Sequence, residues 1–172
     1  GTLAVTILMM LGAHAELGAI IVRRALFVAA SVTDTWIGYF SGHPSVFFSD
    51  KLLSHFITTA YTGESLPHFL GGLHKPGGEL AFNTGLVGTG YAQLGVAGVA
   101  LYSFVLGVFV RVNNMVICRG VPAFIPAALM FLPLRITWAD SDLPTAIISH
   151  GILVATVAVW LYGPRHNRLR RY

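Results

Sequence analysis

The sequence predicts an all-α fold: a polytopic transmembrane helix bundle of about four to five spans, with one long extracytoplasmic loop carrying a short amphipathic helix. Three observations predict it. Hydrophobic residues make up 55% of the 172 residues and charged ones only 10%, where a soluble domain carries roughly a quarter charged residues. The apolar residues gather into runs close to the ~20 positions that hydrocarbon requires of a helix. Most charges stand between or beyond those runs.

Residues 3–22 form the first expected span, interrupted by His14 and Glu16 and closed by a turn at Arg23 and Arg24. A glutamate inside a span costs a few kcal/mol unless it faces protein or water, so Glu16 is expected on a bundle-facing surface. His14 lies two positions away and therefore on another side of the helix. Residues 25–40 form a short or broken span, with Ser31, Thr33, Asp34 and Thr35 in its middle. Trp36, Tyr39 and Phe40 at its end suit an interfacial belt.

Residues 41–93 form the long outer loop, with His43, His55, His68 and His74 among Asp50, Lys51, Glu64, Lys75 and Glu79. Ser49 is placed to cap an amphipathic helix reaching about Tyr61, with Leu52, Leu53, Phe56 and Ile57 on one face. Pro67, Gly71, Gly72, Pro76, Gly77 and Gly78 mark the remainder as irregular. A glycine-punctuated stretch, with Gly85, Gly88, Gly90 and Gly95 around Tyr91 and Gln93, then passes without a break into the span at 94–112. Residues 121–138, carrying Pro122, Pro126 and Pro133, form the next span, and 143–162, with His150 near the middle, the last. Residues 163–172 are the tail.

Placing that tail in the cytoplasm puts eight of the eleven Lys and Arg residues on one face, including Arg23, Arg24, Arg111 and Arg119. The positive-inside rule selects this orientation, and the histidine-rich loop then faces the extracytoplasmic side. The first apolar run begins almost at Gly1 with no initiator methionine or signal-peptide n-region, which reads as the C-terminal part of a longer chain. The whole forms one membrane-embedded helical domain.

The net charge of +4 does not indicate nucleic acid, because the basic residues are not interleaved with aromatics on a polar face. Cys118 is the one cysteine, which excludes an intrachain disulfide and a cysteine metal cluster, and it reads as a small apolar filler. The histidine spacings do not form a helical zinc motif, so neither metal nor cofactor is expected. GLVGTG is preceded by no strand and followed by an apolar helix, which excludes a dinucleotide fingerprint.

Residues 83–108, NTGLVGTGYAQLGVAGVALYSFVLGV, resemble the pattern of bacterial oligosaccharide repeat-unit polymerases, the O-antigen polymerase family. In that pattern an Asn-x-Gly segment leads through Gly-x-Gly/Ala-Tyr-Ala into a helix bearing Tyr-Ser and Gly. The run RRALFV from Arg23, the run Tyr39-Phe40-Ser41, and PSVFFS from Pro44 are similar to the family's upstream segments. TAIISHG, from Thr145 to the glycine after His150, is similar to its last span. The chain departs from the pattern at Ala29, in place of a proline, and at Gln93, in place of the more usual asparagine.

The resemblance implies a multi-pass protein of the bacterial inner membrane that polymerises undecaprenyl-diphosphate-linked repeat units on the outer face. The product would be O-antigen, capsule or exopolysaccharide, and a chain-length regulator and a flippase would be its partners besides membrane lipid and the polyprenyl-diphosphate-linked glycan. Such a transfer breaks a sugar–diphosphate bond, so the site must hold dense negative charge, for which arginine is suited. Arg135 and Lys75 are the expected phosphate-binding residues, although Arg135 equally suits snorkelling or an ion pair with Asp140 or Asp142. His68, His74 and Glu79 are the expected bases for the acceptor hydroxyl, with simple solvation as the other reading of the loop histidines. Asn83, Tyr91 and Asp140 are expected to position substrate. His150 reads either as a hydrogen-bonding partner of a neighbouring helix or as a functional group within the membrane. A lipid-linked glycan transporter and a non-catalytic membrane subunit are the other classes the pattern allows. Polar residues gathered on one side favour a surface enzyme over a continuous pathway.

Overall fold

The computed structural model describes residues 16, 19–20, 23–49, 61, 65–74 and 80–169, with only the backbone described for residues 24–26 and 162–169. Their regular secondary structure is helical, with no strand among the described residues. A π-helical turn, Arg23–Val28, runs directly into α1 (Ala29–Ser41). The turn expected at Arg23 and Arg24 is therefore helical. Neither glycine nor proline interrupts the sequence from Ile20 to Ala29, and arginine, alanine and leucine are good helix formers. Glu16 is helical and exposed.

Two helices occupy the region expected to be irregular, α2 (Leu66–His74) and α3 (Leu86–Leu94). Pro67 stands in the first turn of α2, where its missing N–H costs nothing. Leu66 and Leu70 bury one face of that helix. Helix α3 has poor intrinsic propensity, yet Leu86, Gly88, Thr89, Gly90, Ala92 and Gln93 are all buried, so packing rather than propensity holds it. The expected amphipathic helix after Ser49 falls largely outside the described residues. Ser49 itself is buried, and its hydroxyl donates to the Val46 carbonyl.

Helix α4 (Val96–Cys118) has 23 residues, about 35 Å at ~1.5 Å per residue. The passage from α3 into α4 is not continuous as expected. Gly95, at φ 62°, breaks it, and α3 and α4 then meet backbone to backbone, because a Cβ on Gly98 would overlap the Gly90 carbonyl. Cys118 is exposed at the end of α4 rather than filling a gap.

Helix α5 (Phe124–Ala139) contains Pro133. The span expected at 143–162 is divided into α6 (Leu143–Ile148) and α7 (Ile152–Leu169), separated at Gly151, whose φ is 91°. Two stretches, Val96–Cys118 and Leu143–Leu161, are long and apolar enough to cross a membrane, and α5 is a shorter apolar helix. Their large apolar side chains point outward: Phe104 is 70% exposed, Phe131 71% and Val154 66%. A soluble helix turns such residues toward its core, whereas hydrocarbon accepts them.

The interior has two parts. At one, Trp36, Phe40, Val46, Leu66, Leu70 and Ala92 pack together with Tyr39, Tyr61, Phe69, Phe82 and Tyr91 around them. At the other, α4, α5, α6 and α7 pack through Met130, Ala146, Ile152 and Ala155, with Leu86, Tyr102 and Leu143 joining α3 to this bundle. Deeper in it, Asn113 Nδ2 donates to Thr156 Oγ1 at 3.0 Å and to the Phe109 carbonyl at 2.8 Å. Asn113 Oδ1 is buried and meets no donor among the described residues.

Candidate functional site

The site is built where the 80–85 segment meets the end of α5. Phe82 fixes that segment from two sides: its N–H donates to the Pro67 carbonyl of α2 at 2.9 Å, and its carbonyl accepts from Trp36 Nε1 of α1 at 2.8 Å. Thr84 is buried and shares a hydrogen bond with Thr33 through the two hydroxyls at 2.9 Å. Gly85 then lies so close to the Trp138 carbonyl that a Cβ would overlap it. Only glycine fits this approach.

The contact carries exposed Asn83 up to the end of α5, where the charged residues stand. The N–H groups of Asp140 and Ser141 both donate to the Ile136 carbonyl, at 2.9 and 3.0 Å, and so close the helix. Closure turns Asp140 back onto α5, where its Oδ2 pairs with Arg135 Nη1 at 3.1 Å. The ion pair open on the sequence is thus the one with Asp140. Both side chains are about half exposed, 53% and 52%. A pair so solvated contributes at most about 1 kcal/mol, and a polyanion can displace the aspartate at little cost.

The next residue makes a contact the sequence did not disclose. Ser141 Oγ and His150 Nε2 lie 3.1 Å apart. His150 is held by its own N–H, which donates to the Thr145 carbonyl at 3.2 Å, and it is exposed in the break between α6 and α7. A histidine expected near the middle of a span thus meets the residue that follows Asp140. The signal was the glycine at 151, after Ser149 and His150, which divides the last apolar run.

The other expected site residues disperse. His68 is exposed on α2. His74, at the end of the same helix, packs its ring against Phe82 with centroids 5.1 Å apart. Tyr91 belongs to the aromatic cluster, and its carbonyl accepts the Gly95 N–H at 2.7 Å. Lys75 and Glu79 lie outside the described residues.

Gln93, noted on the sequence as a departure from the family pattern, has a structural contact there. Its side-chain oxygen accepts from the Phe48 N–H, while the Ala92 and Gln93 carbonyls accept from Val46 at 2.9 Å and Phe47 at 3.2 Å. These bonds strap residues 46–49 onto α3 and hold Phe47 and Phe48 at φ 53° and 59°, a region that non-glycine residues seldom occupy. Nearby, the Tyr61 hydroxyl donates to the Pro44 carbonyl at 2.7 Å. Burial pushes the Tyr61 phenol above its ordinary value, and Tyr39 adds to the shift through its charge and a hydrogen bond.

No protein-family profile, curated protein or solved structure matches the chain.

Proposed function

We propose that the protein is a membrane glycosyltransferase that lengthens a polyprenyl-diphosphate-linked glycan at the outer face of the inner membrane. One observation carries the reading: the backbone contact between Gly85 and Trp138 joins the Asn83 segment to the helix end that bears Arg135 and Asp140. A positive group beside an apolar perimeter is what a lipid diphosphate requires, because its head is a dense anion and its tail needs hydrocarbon. Arg135 offers a planar, two-pronged donor to phosphate oxygens, and the half-exposed pairing with Asp140 leaves it exchangeable. The resemblance of residues 83–108 to repeat-unit polymerases supplies the glycan. The inner-membrane location, with residues 41–93 outside and the tail in the cytoplasm, belongs to the same proposal and rests on the distribution of Arg and Lys.

The test is reconstitution of the full-length protein in vesicles with lipid-linked repeat units and no nucleotide sugar. Lengthened glycans are expected. Movement of the lipid-linked units across the bilayer without elongation would make the protein a transporter instead.

A further inference from the structure

We propose that His150 is the catalytic base of this site, taking the proton from the acceptor sugar hydroxyl, with the Ser141 hydroxyl marking the place that hydroxyl occupies. The assignment rests on the glycosyl-transfer reading above and adds to it the residue that activates the acceptor. Three observations converge on it. The His150 Nε2 atom already faces an oxygen at 3.1 Å, the hydroxyl of Ser141, which is the distance at which a base receives a proton. The break at Ser149 to Gly151 leaves the ring exposed instead of packed within the bundle. Ser141 follows directly on Asp140, the partner of Arg135, so neighbouring residues carry the contacts to the base and to the cation. The α2 histidines lack this arrangement, since His74 packs on Phe82 and the contacts of α2 lead to the 80–82 segment rather than to Arg135.

The step balances without a co-reactant. The acceptor O–H bond breaks and its proton passes to His150 Nε2. The oxygen's electron pair forms the new bond to the anomeric carbon of the donor sugar. The bond from that carbon to the diphosphate oxygen breaks, and its electron pair leaves on the lipid diphosphate, whose charge Arg135 offsets. The charged groups on the adjoining elements are Arg135 on α5 and Asp140 and Asp142 in the α5–α6 connection. Of these, Asp140 is engaged by Arg135.

The experiment follows elongation rate against pH for the full-length protein in vesicles with lipid-linked repeat units, for the wild type, His150→Gln and Ser141→Ala. Glutamine retains a hydrogen bond to Ser141 but cannot serve as a base. His150→Gln is expected to lower the rate by about 10²- to 10⁴-fold and to abolish the fall of rate on the acid side, with unchanged thermal stability. Ser141→Ala is expected to lower the rate by less than His150→Gln does and to keep the acid limb, because the base remains. Retention of rate and acid limb by His150→Gln overturns the assignment. So does an equal loss in both variants with the acid limb intact, which would mean that the hydrogen bond only holds the helix break. Absence of polymer from the wild type itself would instead overturn the glycosyl-transfer reading, and the base with it.

Discussion

Arg135 and Asp140 face each other across one turn of a helix end, and the value of that arrangement lies in how weakly it is held. If arginine serves the diphosphate, the aspartate is a placeholder that yields to it. Arg135→Ala is therefore expected to abolish elongation, while Asp140→Asn leaves chain length close to the wild type, both read by gel analysis of the polymer at equal protein level. Equal loss in the two variants would show that the pair itself matters and not the cation. Tyr61 supports a different prediction. Its raised value means that the folded state favours the neutral phenol, so its contribution is present below the ordinary tyrosine range and is lost as pH rises through the raised value. Phenolate absorbance during an alkaline titration is expected to lose a late-titrating component in Tyr61→Phe, and stability of the wild type should fall as that component appears.

At the scale of elements, α3 has the most to teach. Its glycines, Gly88 and Gly90, made it read as part of a loop, because glycine is among the poorest helix formers. What the sequence could not disclose is that nearly every side of this helix meets protein, where the absence of a side chain is what permits the fit. Gly85→Ala tests the point. The added methyl group must displace the Trp138 carbonyl, at a cost of about 1–3 kcal/mol. The expected outcome is a lowered thermal midpoint in detergent and reduced elongation, whereas Gly38→Ala, which meets open space inside α1, should leave elongation unchanged and not lower the midpoint. The break in the last apolar run was hidden for the opposite reason. Hydropathy averages over Ser149, His150 and the glycine at 151, and only the backbone shows that three residues among many apolar ones suffice to end a helix.

For the whole molecule, composition disclosed the helical class and the apolar perimeter, since a chain with so few charges has nothing else to present to its surroundings. It did not disclose how the helices are matched. The expected span ended at 112, yet α4 continues to Cys118, and Asn113 within the added turns bonds Thr156 on α7. A bond between helices in such a setting contributes on average about 0.6 kcal/mol. A double-mutant cycle of Asn113→Ala and Thr156→Val, read by thermal unfolding in detergent, is expected to return a coupling of about that size. A coupling of zero would mean that surrounding apolar packing alone matches α4 to α7. Of the candidate site, Asn83, Arg135 and Asp140 were legible as residue types, while the pairing of Ser141 with His150 depended on the helix break at 149–151, over which hydropathy averages.

The nine-residue helix α3 is fixed near both ends by backbone lying on backbone, Gly85 on Trp138 at one end and Gly90 on Gly98 toward the other. Contacts of this kind contain no rotamers, so they cannot absorb a displacement by rearranging side chains. Helix α3 consequently behaves as a strut. A side chain added at Gly85 or Gly98 therefore has to move a whole helix, because what it meets is main chain.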